Sequence, residues 1–454
     1  MQESSTKECI EDDVEQRKAV LYIAGGALFL VSVFFFILQT KYPATYDADG
    51  YKYIAKLFNE TGMQSSQDET RTYFYPWFLS LLIALSNVIN IPLAILLFVS
   101  QTVFYFYCAN RLSTAISIKN RNLGRIIFVL LCTNIFVIPY LCISLTEGIF
   151  LSLFLLWLSS FARLEIFLEA PQNISSVKRE LGIIAAVAGI ILVTRPAGLW
   201  ICVTTLVLLL MKWKQLYNLL KPLQFTMTLI VVTIAFLTPL IPQVYLNTLI
   251  FRTISPLPVN DLANYQIKGG IENLKYGTAI SEGPPQMFYP NPFLRDKDLS
   301  KLGVSWYFRY PVDATLTVAF KLVGAFDFDY ILAYVYHLRP SYRWLTSFLS
   351  LSIFSIGLFG VIYATIRKKI VLGSSLLPLI CFFFWGLVTM PTALEVRFSL
   401  PMLMIFQMYS AYIIMQYIKF DRRKKISLAI IYLFIMSVLL PIGYYVSSLN
   451  SALQ

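Results

Sequence analysis

The sequence predicts an α-helical integral membrane protein of about eleven transmembrane helices, with an interfacial helix in the first outer loop and a larger outer loop of mixed structure. Three observations carry that expectation. Of 454 residues, 57% are hydrophobic and only 14% charged, with a mean hydropathy of +0.66, whereas soluble domains carry nearer a quarter charged residues. The apolar residues fall into runs of about 15 to 25, near the ~20 needed to cross the hydrocarbon core. The basic excess, net charge +12, concentrates in the N-terminal tail and in short connections that alternate along the chain, which marks the inner ends of spans. That placement directs the charge toward topology and anionic headgroups, so no nucleic-acid partner is expected.

Residues 1–18 are polar and acidic, with no cleavage-site logic, and read as a cytoplasmic tail; the first apolar segment, 19–39, is then a retained anchor. A core over 19–249 follows, with a first periplasmic loop at 40–90. Inside that loop the run 76–88 is too short to span and opens with Pro76, a good first-turn residue, so it is placed at the interface. Further spans are expected at 91–109, 126–143, 148–162, 181–194, 197–211 and 223–247. Residues 250–343 form a periplasmic loop or lid, rich in Pro and Gly in its first half and amphipathic from Val304 onward, with Phe320, Leu322, Val323 and Phe326 as its apolar side. The C-terminal unit, 344–454, supplies spans at 344–365, 370–390, 398–418 and 426–446. The N-terminus is expected inside and the C-terminus outside.

Five of the six cysteines lie in or beside apolar runs and Cys9 lies in the tail, which supports neither a disulfide framework nor a zinc site. The informative charges are those that topology leaves over. Asp47, Asp49, Arg71, Glu147, Arg195, Glu395 and Arg397 all fall at outer ends of spans or in outer loops. Acids and arginines near membrane depth are costly unless they pair or face a cavity. A shared cavity would let a carboxylate take a proton from a hydroxyl while arginines neutralise a departing phosphate.

The motifs Asp47-x3-Tyr51-x3-Ala55 and Arg71-x3-Tyr75-Pro76, followed in order by Ser144-Leu-Thr-Glu147, Arg195-Pro196 and Glu395-x-Arg397-Phe398-x2-Pro401, resemble the GT-C glycosyltransferases. These are polytopic enzymes that use polyprenyl-phosphate-linked sugars, among them the bacterial aminoarabinose and protein O-mannosyl transferases. The resemblance covers about the first 250 residues and the 395–401 turn. It implies a GT-C-like fold in the inner membrane with its site on the periplasmic face. It also implies inverting transfer of a hexosyl or pentosyl group to a lipid glycan, polysaccharide or protein acceptor. Asp47 matches the family's catalytic aspartate, and Asp49, nearby in place of the adjacent acidic residue some members have, is the second catalytic candidate. Tyr51, Arg71, Tyr75, Glu147, Arg195, Arg339, Glu395 and Arg397 are the candidate substrate-binding residues. Tyr73-Phe74 replace the Pro-Gly of many members.

Each residue also has a plainer reading. Asp47 or Asp49 can cap the helix that starts there, Glu147 can cap its own, Arg71 can anchor at the interface, and Arg397 can simply pair with Glu395. The Asp47-x-Asp49 spacing makes a divalent cation a candidate cofactor, with no further ligand cluster visible. The lone His337 reads as structural. Two other functions share the composition: a transporter or flippase of lipid-linked glycans, which needs ionisable groups at mid-membrane depth, and a glycan polymerase, which needs arginines rather than an aspartate.

Overall fold

Two helices that are apolar on every side form the centre of the bundle, and both begin at the same end of it. The computed structural model describes residues 2–41, 47–63, 70–169, 174–259, 262–277, 287–294, 303–331, 340–369, 371–372 and 374–449. In chain order the helices before the long polar segment are α1 (Gln2–Lys41), α2 (Asp47–Thr61), α3 (Phe74–Ile89), α4 (Leu93–Lys119), α5 (Arg121–Cys132), α6 (Glu147–Glu169), α7 (Ile174–Thr194), α8 (Leu199–Met211), α9 (Trp213–Leu220), α10 (Pro222–Leu237) and α11 (Ile241–Phe251). The polar segment contributes α12 (Leu262–Glu272), strands β1 (Asn273–Gly277) and β2 (Met287–Pro290), α13 (Val304–Arg309) and α14 (Pro311–Phe326); α15 (Pro340–Ile366), α16 (Leu377–Thr389), α17 (Leu400–Lys419) and α18 (Arg422–Ser448) complete the chain. The central pair are α6 and α17, whose side chains are buried almost throughout, as a helix without a polar stripe must be. Helix α4 packs along α6, and α15 along α17.

Seven helical segments among the described residues are long and apolar enough to cross a membrane, and an eighth counts if α8 and α9, bent by 60° at Lys212, make one broken span. The chain is a multi-pass membrane protein, but helix length and hydropathy among the described residues do not confirm the eleven spans expected from the sequence, for identifiable reasons. The run 126–143 is interrupted: α5 ends at Cys132, the Asn134 side chain accepts the Phe136 and Val137 N–H groups, and a short 3-10 turn follows at Ile138–Cys142. Pro139 in that turn cannot continue a helical ladder. The run 370–390 shrinks to the 13-residue α16, with Pro378 in its first turn. Helix α7 carries Lys178, Arg179 and Glu180 in its first two turns. Thirteen residues reach only ~20 Å of the ~30 Å hydrocarbon core, so α8 and α16 cannot each span it alone. The tail is not separate either, since α1 runs helical from Gln2.

At one end, the site end, α2 and α3 pack on each other, and α14 lies against α18 and, with β1, against the turn that leads into α17. Strands β1 and β2 pair antiparallel, and Tyr276 of β1 also bridges Glu395 in parallel register. At the opposite end buried Glu180 gathers Arg111, Arg163 at 3.2 Å and Arg179 at 3.4 Å.

Candidate functional site

Four separate stretches deliver one ionic cluster. The first turn of α2 presents Asp47, and one helical turn on, Tyr51. The segment before α3 presents Arg71, whose Nη2 lies 3.3 Å from Asp47 Oδ1 and whose guanidinium stacks over the Tyr51 ring at 5.1 Å. Gly50 makes this approach feasible, because a Cβ there would sit 2.8 Å from Arg71 Nη2. The Tyr51 ring meets Tyr75 edge-on at 5.1 Å. Tyr75 is fully buried and its hydroxyl has no hydrogen-bond partner among the described residues.

The second stretch is the turn before α6, which is buried from Ser144 to Glu147. Glu147 opens α6 and is 1% exposed. Its Oε1 accepts Arg195 Nη1 at 2.6 Å and lies 3.5 Å from Arg397 Nε. The third stretch is the break between α7 and α8, where extended backbone at Arg195 precedes a 3-10 turn begun by Pro196. The fourth is the turn between α16 and α17. There Arg397 donates from Nη2 to Asp47 Oδ2 at 2.9 Å and to Glu395 Oε1 at 2.9 Å, with Nε 2.6 Å from Glu395 Oε2. Arg195 and Arg397 lie 4.3 and 5.6 Å from the centre of the Phe398 ring, beside a narrow cleft that Trp200 and Thr389 help to line.

Three carboxylates, Asp47, Glu147 and Glu395, therefore meet three arginines, Arg71, Arg195 and Arg397. The balance explains how so many charges survive together, since each buried ion has a partner within hydrogen-bond range. Asp47 alone of the carboxylates is half-exposed. Burial works against its ionisation, but the Arg397 guanidinium, then Arg71 and Arg195, hold its carboxyl below the ordinary value. Glu395 goes the other way: burial pushes its carboxyl up, and Arg397 does not fully offset it.

Of the candidates named from the sequence, Asp47, Tyr51, Arg71, Glu147, Arg195, Glu395 and Arg397 come together, with Tyr75 packed behind Tyr51. Asp49 does not. It sits on the exposed side of the first turn of α2 and pairs with Lys52 at 3.3 Å, because two residues along a helix rotate a side chain to the far face. The same rotation separates the Asp47-x-Asp49 pair, one acid committed to arginines and the other to a lysine. These two residues do not fit a shared cation, and among the described residues no group of three or more His, Cys, Asp or Glu side chains is placed to hold a metal ion. Arg339 and His337 lie outside the described residues. Tyr73, at the departure from the family motif, is tied to the α10–α11 junction through Gln243 Oε1 (2.8 Å) and the Pro239 carbonyl (3.0 Å).

What the sequence reading missed is the frame that holds the fourth stretch. Tyr276 donates its N–H to Leu394 O, and Ala393 donates to Gln266 O. Buried Lys321 of α14 donates to Gly270 O at 2.9 Å and Thr392 O at 2.6 Å, and Tyr307 donates to Pro391 O at 3.1 Å. Gly270 lies against the Pro391–Thr392 backbone, where a Cβ has no room. Next to Tyr276, buried Lys275 pairs with Asp329 at 2.8 Å and donates to Asp327 O at 2.7 Å; Tyr289 and Ser447 complete the shell of Asp329. The region expected as a loop or lid thus carries the scaffold of the Glu395–Arg397 turn. The only trace in sequence is Lys321 itself, one charge inside the apolar run Val318–Ala325.

No family model matches the chain, and no curated protein matches its sequence. A similar solved structure is the apo form of an oligosaccharyltransferase from Archaeoglobus fulgidus, at a TM-score of 0.48 and 12% identity, covering 95% of this chain and 55% of that one. The chain spans about half the length of that protein. A superposition this loose leaves the functional assignment to the chemistry of the site.

Proposed function

We propose that this chain is a membrane glycosyltransferase of the GT-C type, with the site end facing the periplasm from the inner membrane. It transfers a sugar from a polyprenyl-phosphate donor to a glycan, polysaccharide or protein hydroxyl. The observation that carries this reading is the single half-exposed carboxylate, Asp47, set against a bank of arginines.

The donor phosphate binds beside Arg195 and Arg397, whose paired guanidinium groups suit its oxygens. The acceptor hydroxyl attacks the anomeric carbon from the opposite side. Asp47 takes the hydroxyl proton as the new C–O bond forms, the bond from the anomeric carbon to the phosphate oxygen breaks, and the leaving phosphate keeps the electron pair. The arginines stabilise that developing charge. Attack opposite the leaving group inverts the anomeric centre.

The resting state also regulates the base. A carboxylate clamped by Arg397 and Arg71 is a weak proton acceptor. When the phosphate draws Arg397 toward itself, Asp47 loses part of that clamp and becomes more basic, so base strength rises only with donor bound. Glu395 and Glu147 keep Arg397 and Arg195 in place.

The test is Asp47→Asn, with surface glycans and glycolipids of expressing cells read by mass spectrometry and donor binding measured on the purified protein. Transfer should fall ~10²–10⁴-fold, the usual worth of a general base, while donor binding persists. A product profile that survives D47N unchanged would sink the reading, and would favour transport or polymerisation of lipid-linked glycans instead.

A further inference from the structure

Helix α14 buries Ala314, Val323 and Phe326, as an amphipathic helix should, but it also buries polar groups and leaves an apolar stripe outside. Along its inward face stand Asp313, Thr317 and Lys321, spaced by four residues and 6%, 0% and 0% exposed. Along the outward face stand Val312 and Leu316, and the preceding α13 extends that stripe with Phe308 and Val304; Phe308 is 80% exposed and Val312 67%. The inward groups are satisfied by protein. Thr317 exchanges a hydrogen bond with Asn291 at 3.0 Å, and Lys321 donates to two backbone carbonyls. A helix covering a water-facing domain keeps its apolar residues inward, whereas here a second apolar stripe, at positions 304, 308, 312 and 316, faces out. An apolar surrounding makes that outward stripe favourable.

The ends of the segment show where it lies. Tyr307 of α13 is tied to Pro391, two residues beyond α16. Near the other end of α14, Ala325 O accepts the Ser399 hydroxyl just ahead of α17, and Phe320 packs against Tyr445 of α18 with ring centres 5.8 Å apart. Both anchors are at the site end of the spans, so α14, ~24 Å long at 1.5 Å per residue, crosses the end of the bundle instead of rising from it. The neighbouring spans expose Trp344 on α15 and Tyr444 on α18, side chains suited to the membrane–water boundary. Exposed Arg309 lies next to Phe308 and can reach lipid phosphates.

From this geometry we infer that the α13–α14 face is a bilayer-contact surface. It is seated in the interfacial layer of the leaflet at the site end and is continuous with the lipid-facing sides of α15 and α18. The occupant is phospholipid. The described elements between 262 and 331 are accordingly a membrane-docked frame. The ionic cluster that it holds through the 391–397 turn is set at headgroup depth, where a lipid-borne phosphate arrives by lateral diffusion.

The test requires no sugar substrate and stands apart from the transferase reading. In a Cys9→Ser background, the full chain carrying F308C or V312C is spin-labelled and placed in phosphatidylcholine nanodiscs, with E60C on α2 as the water reference and L433C on α18 as the lipid reference. Collisions with dissolved oxygen and with a neutral nickel chelate are then compared. Labels at 308 and 312 should favour oxygen over chelate as position 433 does, and position 60 should favour the chelate. Labels at 308 and 312 that follow position 60 would overturn the inference. So would shielding from both reagents, the mark of a second copy or another protein on this face. F308W quenched by phosphatidylcholine brominated near the headgroup end of its chains should give the same answer, and absence of quenching would count against it.

Discussion

Helices α2 and α14 both border the ion-pair cluster, both lie at the site end of the spans, and they expose different kinds of side chain. Helix α2 turns Ala48, Ile54, Ala55 and Phe58 inward and leaves Asp49, Lys56 and Glu60 outside. Helix α14 turns Asp313, Thr317 and Lys321 inward beside Ala314, Val323 and Phe326, and leaves Val312 and Leu316 outside. The difference teaches that amphipathicity alone does not say which face is the inside. Where water is the surrounding medium, the apolar stripe seeks the protein. Where lipid is the medium, polar groups seek the protein, because the backbone carbonyls and side chains there are their only partners. The two helices also divide the labour at the cluster: α2 brings the carboxylate, and α14 helps to hold the turn that brings the arginine.

The sharpest test of the division strikes the polar interior beneath α14. Lys275→Met strands Asp329 in a buried site and should lower unfolding stability by ~3–5 kcal/mol, read by thermal or denaturant unfolding in detergent. Adding D329L should recover part of the loss; an unchanged midpoint in K275M would mean that the region does not rest on this pair. On α2 the corresponding blow is apolar. Phe58→Ala should cost ~3 kcal/mol by opening a cavity, and a silent F58A would erase the contrast from the other side.

Lys321→Met should cost ~1–3 kcal/mol, since Gly270 O and Thr392 O lose their donor. It should also change the pH dependence. Burial lowers the Lys321 ammonium from 10.5 to about 7. Between those values the unfolded chain binds a proton that the folded chain does not, so this group makes stability rise with pH across that window and fall as pH drops toward 7. K321M should flatten that slope, and a slope identical to the parent's would refute the assignment. The smallest effect belongs to the outward face: Phe308→Ser should stay within ~0.5 kcal/mol in detergent. A large destabilisation there would show that protein, not lipid, covers Phe308.

Much of the site was legible beforehand because its chemistry is written in local patterns. Asp47 with Tyr51, the Arg195-Pro196 break and the Glu395-x-Arg397 turn each stand out as polar groups at the ends of apolar runs, and the structure brings those residues together. Asp49 was misplaced because spacing by two looks like a pair in sequence and is a rotation to opposite sides on a helix. The span count is not confirmed by helix length, because hydropathy registers α5 and α16 as apolar without registering that Asn134, Pro139 and Pro378 shorten them. The frame around the 391–397 turn was illegible. Its contacts join Gln266, Tyr276, Tyr307 and Lys321 to a stretch some 70 to 130 positions later, and most end on backbone carbonyls, which have no residue signature.

By itself the sequence determined that this chain lives in a membrane, where its helices lie approximately, and which ionic side chains must find partners, because hydrophobic length and the cost of unpaired charge are local properties. Tertiary structure alone decided which arginine meets which carboxylate, that α14 keeps Asp313, Thr317 and Lys321 inward while an apolar stripe faces out, and that the described parts of the long polar segment form a frame. Those outcomes depend on the medium and the neighbours that each face meets after folding, and neither is encoded in the spacing of residues along one strand of chain.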